Sequence, residues 1–194
     1  MGYIIKNLVE YSGIADEFPK CPKAFTEISV EDNLNIPEEK PDVEQIIKII
    51  AEVKILQKQI VKTPIGKGAS GIISTGYKLI IEAAIKQKVL YVADRPSQPV
   101  HSAEFEKLFS TFVILPPIHL YDCKDILDSF FVEPFIEDIY AKLLNKRTIF
   151  ENSTIFINVS SPLFSNPYKS KLGLGQTNSA RIVDEFEEAL TYIL

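Results

Sequence analysis

The run Tyr77-Lys-Leu-Ile-Ile-Glu-Ala-Ala-Ile-Lys-Gln-Lys-Val-Leu-Tyr-Val92 decides the fold class. Leu79, Ile81, Ala83, Ile85, Val89 and Tyr91 recur on one face at a spacing of two, interrupted only by Gln87. Lys78, Glu82, Lys86 and Lys88 take the other face, with Ile80, Ala84, Leu90 and Val92 between them. A period of two is that of a strand whose alternate side chains meet a core. The run is long against the usual strand of about 5–6 residues. It therefore predicts two strands continuing through a bend, or one long strand serving two sheets.

Neighbouring runs repeat the pattern. Ile47, Ile49, Ala51, Val53 and Ile55 lie on one face and Lys48, Glu52, Lys54 and Lys58 on the other, predicting a strand from about Lys48. A helix is the rival there, because Glu, Lys, Gln and Ala favour helices and Pro41-Asp42 can start one. His101–Leu115 carries Phe105, Phe109, Val113 and Leu115 on its odd face and Phe112 and Ile114 on its even face, predicting burial on both sides toward its end. Phe130–Tyr140 and Thr148–Val159 are further β-rich runs, the second with Ile149, Ile155, Ile157 and Val159 aligned. Prolines fall at the ends or bends of these runs, and Asn145-Lys146 marks a turn between two of them. The expectation is a mostly β fold, an antiparallel β-sandwich or barrel-like domain over residues 25–160. An N-terminal segment, 1–24, precedes it. Its Ile4, Ile5, Leu8 and Val9 either pair within their own sheet or form an assembly strand on a neighbour. Residues 161–178 read as a linker rich in Ser, Asn, Pro and Gly. An amphipathic C-terminal helix over 179–194 then places Ile182, Val183, Phe186, Leu190, Ile193 and Leu194 on one stripe, to be buried on its own domain or on another subunit.

Composition narrows the function classes. The chain has 194 residues with 46% apolar and 24% charged, a soluble globular mix, and a net charge of −5. An acidic balance argues against nucleic acid and anionic membranes as partners. No run approaches the ~18 apolar residues of a membrane span, and no secretory leader is expected. Gly2 does not fit the myristoylation pattern, because Lys6 stands where Ser or Thr is wanted. Synthesis in the cytoplasm is the expectation, which leaves the acceptor patterns at Asn152 and Asn158 without meaning for glycosylation.

The tempting motifs lack their contexts. Gly66-Lys-Gly-Ala-Ser-Gly71 matches a phosphate-cradling fingerprint, yet Ile72-Ile-Ser-Thr-Gly76 follows where a helix must begin. Ala83-Ala-Ile-Lys86 resembles the kinase lysine segment, but no H-R-D or D-F-G accompanies it. His119, Cys123, Cys21 and His101 lack the paired spacing of a zinc site, and nothing local activates Cys123 as a nucleophile. Glu137-Asp138 and Glu38-Glu39 are adjacent carboxylates, which on a strand point to opposite faces. No catalytic, cofactor-binding or metal-binding residue is assigned, and the chain is expected not to be an enzyme. An activity that disappears on replacing Cys123 or His101 would overturn that expectation.

Several phrases together resemble one family. They are Ile36-Pro-Glu-Glu-Lys-Pro-Asp-Val-Glu-Gln45-Ile46, Thr75-Gly-Tyr-Lys-Leu79, Gln87-Lys88 with Tyr91-Val-Ala-Asp94, and Gln98–His101. Phe109-Ser-Thr-Phe-Val-Ile-Leu-Pro116 and Val132–Leu144 followed by Lys146-Arg-Thr-Ile-Phe150 complete the set. The likeness, to the SPOCS domain of clostridial spore proteins, runs from about Phe25 to Val159, and Asn7–Gly13 looks like the opening of short members. The resemblance implies a structural role in the spore envelope, in coat, exosporium or appendage morphogenesis. Some relatives carry tandem copies and a LysM module. This chain shows one copy and no LysM-like segment after Val159, so direct peptidoglycan anchoring is not expected. The implied partners are the chain itself, as a homo-oligomer, and other spore-envelope proteins. Synthesis in the mother cell would precede deposition in the envelope, where Cys21 and Cys123 could form intermolecular disulfides. The alternative is a monomeric module for a morphogenetic partner or cell-wall glycan, with Tyr121, Phe164 and Tyr168 as a stacking platform.

Overall fold

A computed structural model describes residues 2–67, 72–117 and 126–165. Eight strands account for most of them: β1 (Gly2–Lys6), β2 (Val9–Ile14), β3 (Ala24–Asn35), β4 (Val43–Lys67), β5 (Ile73–Ala93), β6 (Val100–Ile114), β7 (Phe131–Asn145) and β8 (Thr148–Ser160). They form one sheet in the order β3-β8-β7-β2-β4-β5-β6, with β1 paired to β2. The long period-two run is one continuous strand in a single sheet. Strand β5 is antiparallel to β4 on one side and to β6 on the other. Its odd face, from Leu79 to Ala93, is buried throughout, and Gln87 is buried with it.

Strand β4 resolves the helix–strand ambiguity in favour of the strand, because its 25 residues pair along β5. Four register shifts break its alternation, so Ile46 and Ile49 are buried and Ile47 is only half-buried. Pro64 lies inside β4, at the shift between Lys62 and Ile65, where a missing N–H breaks no regular ladder. In β6 the expected two-sided burial is not found. Phe112 stays exposed under the Lys78 ammonium, 4.1 Å from its ring centroid, while Val113 and Leu115 are buried. The Asn145-Lys146 turn is as expected: Asn145 Oδ1 accepts the Arg147 N–H at 2.8 Å between β7 and β8.

The sheet is mixed, which corrects the antiparallel expectation. Strand β2 runs parallel to β4 through Glu10–Ser12 and parallel to β7 at Ile14. It joins two antiparallel blocks, β3-β8-β7 and β4-β5-β6. Alternation reports which side of a strand is buried and carries nothing about its direction relative to non-local neighbours. Within the N-terminal 24 residues, β1 and β2 are strands of this same sheet. Tyr11 and Ile14 of β2 belong to the core, and β1 folds back on β2 through Asn7 and Leu8, both with positive φ as a two-residue hairpin turn requires. Gly13 allows the junction. Its φ is +104°, and a Cβ there would meet the Ala51 carbonyl oxygen at 2.0 Å.

Contacts between distant strands show that the sheet curls over its own apolar face. Gln87 of β5 reaches Glu151 of β8 at 2.6 Å, although three strands separate them in the sheet. At the two ends, Lys107 of β6 and Asp32 of β3 form an ion pair at 3.2 Å, while each strand is hydrogen-bonded to one neighbour only. The architecture is thus an open, curled sheet with a seam between β3 and β6. After β8 a short 3₁₀ turn, Pro162–Ser165, seats Phe164 against Phe130 with centroids 5.8 Å apart. The rest of the linker and the 179–194 helix lie outside the described residues.

Candidate functional site

The residues weighed for catalysis do not converge. His101 stacks on Tyr91 with centroids 6.0 Å apart, and the Tyr91 hydroxyl donates to the Pro41 carbonyl at 3.1 Å. Cys21 is a free, exposed thiol, while Cys123 and His119 lie outside the described residues. Among the described residues no group of three or more His, Cys, Asp or Glu side chains is placed to hold a metal. The glycine-rich motif connects β4 to β5, so a strand follows it. Lys86 of the kinase-like segment is exposed and pairs with Glu106 at 3.8 Å. Glu38 and Glu39 are exposed in the β3–β4 connection. A bulge between Ile136 and Asp138 interrupts the alternation at Glu137-Asp138, yet the two acids have different surroundings. Asp138 pairs with Lys6 of β1, whereas burial and the nearby Glu27 carboxylate push the Glu137 carboxyl above its ordinary range.

What the fold does assemble is an aromatic surface on the outside of β3-β8-β7. Register places Glu27, Phe156 and Phe135 side by side across three strands. Phe25 stacks on Phe156 at 5.2 Å, and Phe18 meets Phe156 edge-on at 5.7 Å and Phe135 at 6.0 Å. Phe156 is nearly buried beneath the others, but Phe18 remains 43% and Phe25 52% exposed. Acids border the rings. Glu133 accepts the Asn158 amide at 3.1 Å, and neither Glu27 nor Glu137 has an ion-pair partner among the described residues. Such a surface offers ring faces and edges together with unspent negative charge. The expected platform differs: Phe164 is packed against Phe130, its carbonyl taken by Lys23 at 3.1 Å, and Tyr121 and Tyr168 lie outside the described residues.

A second feature that the sequence reading passed over is the clasp at Arg147. Its guanidinium donates to the carbonyls of Lys40, Ile36 and Pro37 and to Asp42, at 2.6–2.9 Å. This planar fork ties the β3–β4 connection to the β7–β8 turn. A third is interior: Glu151 stands on the same face of β8 as Ile149 and Ile155, with no exposed surface. The parity of that run already placed Glu151 and Ser153 inward, and only their polarity argued otherwise.

These features define a curled β domain whose distinctive chemistry is on its outer face rather than in an enclosed cavity among the described residues. A family model described as "SipL, SPOCS domain" matches residues 42–144, more than half of the chain, and the chain belongs to that family. The match covers β4, β5, β6 and nearly all of β7, and is narrower than the Phe25–Val159 reach of the sequence likeness. Membership points to a sporulation-related protein. No curated protein and no solved structure matches the chain. No helix among the described residues is long and apolar enough to cross a membrane.

Proposed function

We propose that the chain is a non-catalytic structural protein of the bacterial spore envelope, made in the mother cell and deposited in the coat, exosporium or an appendage. It acts by associating with copies of itself and with other envelope proteins. The observation carrying this reading is the phenylalanine cluster, with Phe18 and Phe25 half-exposed above Phe156 and unpaired Glu27 and Glu137 at its border. Isolated exposed apolar residues need no explanation, but a contiguous aromatic patch with a polar rim is the anatomy of a contact surface. Two further features support association. Strands β3 and β6 each leave one edge unpaired, and β1 presents exposed Tyr3 and Ile5 beside its own free edge.

Light scattering over a concentration series, with and without reductant, tests the reading. Mass is expected to rise with concentration for the full-length protein and to stay monomeric for Phe18→Ser/Phe25→Ser. Dissociation by reductant would assign the contact to the thiols instead. A second reading has its own support: the same rings lie beside Glu27, Glu133 and Asn158, groups that can hydrogen-bond sugar hydroxyls. A monomer at every concentration that binds a cell-wall glycan or a morphogenetic partner would make the chain a binding module.

A further inference from the structure

Glu151 is the one fully buried acid of the curled interior among the described residues, and the structure gives it no cation. Gln87 Nε2 donates to one oxygen at 2.6 Å, and the Ser153 hydroxyl bonds the other. Around it, β7 contributes Ala141 directly opposite, and β4 contributes Ala51 opposite Gln87. On β2 the nearby titratable group is the buried Tyr11 phenol, which reaches the Ala141 backbone and is itself pushed up by burial. Among the described residues the charge that acts on Glu151 is Asp32 of β3, its direct cross-strand partner, which is itself paired with Lys107 of β6 at 3.2 Å. Two neutral donors do not compensate a buried carboxylate, whose desolvation is far costlier than that of a neutral acid. A protonated Glu151 fits the same geometry, because the Ser153 hydroxyl can accept as readily as donate. Among the described residues Gln87 Oε1 is the one buried side-chain acceptor left without a donor, so this layer is already short of partners.

The position matters as much as the burial. Gln87–Glu151 crosses the interior between strands that are not neighbours, and it lies beside the Asp32–Lys107 pair that spans the seam. We propose that Glu151 is a proton-operated latch: neutral, it holds β5 to β8 across the interior, and its ionisation opens the seam and frees the outer edges of β3 and β6. Burial, with a smaller contribution from Asp32, raises the Glu151 carboxyl to about 7 against the two opposing hydrogen bonds. An acid whose pKa is raised on folding stabilises fully below its unfolded value near 4.5 and loses that contribution as pH rises to about 7. The folded-to-unfolded ratio is expected to fall on the order of 100-fold across this window. Glu10 and Glu104, held below their ordinary range by Lys48 and Lys88, act in the opposite direction and are common to any variant.

The test compares the wild-type protein with Glu151→Gln, which has the shape of the neutral acid, by urea denaturation from pH 4.5 to 8.5. The wild type is expected to lose stability relative to the variant up to about pH 7 and then level off. Hydrogen exchange of β3 and β6, corrected for intrinsic rates, should accelerate above neutrality in the wild type alone. Parallel stability curves, or identical protection of both strands, would overturn the latch. Carboxyl NMR of ¹³C-glutamate-labelled wild type needs no variant, and titration of Glu151 below pH 5 would overturn it even if Glu151→Gln fails to fold.

Discussion

The blocks β4-β5-β6 and β3-β8-β7 are built on the same antiparallel pairing, but their outer faces are finished differently. On the first, charges answer one another across strands: Glu52, Lys86 and Glu106 share one row, and Lys88 reaches Glu104 at 2.8 Å in the next. Even Ala84, which points outward, is buried between Lys54 and Leu108, its cross-strand partners. On the second, Phe135 and Phe156 stand in a row with Glu27, and Glu137 is left beside that like charge. Backbone pairing is indifferent to what the solvent face carries. The difference is why the second face is the one proposed as the contact surface.

The comparison breaks most completely where the two blocks join. Gly13→Ala should cost more than about 4 kcal/mol in urea denaturation, because a positive φ and a 2.0 Å collision with the Ala51 carbonyl coincide. Retention of near-normal stability would show that β2 does not hold the blocks together. Arg147→Lys should cost about 2 kcal/mol, since an ammonium cannot reproduce four contacts made by a planar fork. Phe25→Ser should change stability by about 1 kcal/mol or less, given its exposure, yet remove concentration-dependent association. Loss of folding with unchanged association would reverse the roles assigned to the two faces. Lys88→Ala on the charged face should leave both the melting temperature and the solution mass unchanged, because exposed ion pairs contribute little.

Much of the fold was legible residue by residue. Leu79 through Tyr91 and Ile149 through Val159 are buried as their alternation predicts, and the Asn145-Lys146 turn falls where expected. The family was legible too: most of its phrases lie within the matched residues 42–144, while Ile36–Pro41 and Lys146–Phe150 fall just outside them. The aromatic surface was not. Phe18, Phe25, Phe135 and Phe156 come from three strands and a connection, and no local window contains their adjacency. Glu151 was legible by position only: parity puts it inside, but its charge argued for a solvent face until Gln87 supplied a partner from 64 residues away.

The sequence by itself determined which side of β5 and β8 faces the core, because a side chain's direction alternates with its own backbone where no bulge intervenes. It determined the punctuation as well, through Pro and Asn at bends and turns. Only the tertiary structure decided that β2 enters in parallel, that the sheet curls until β3 meets β6, and which phenylalanines and acids share a face. Those outcomes depend on register and direction between segments far apart in the chain, which are set by packing of the whole interior and have no local signature.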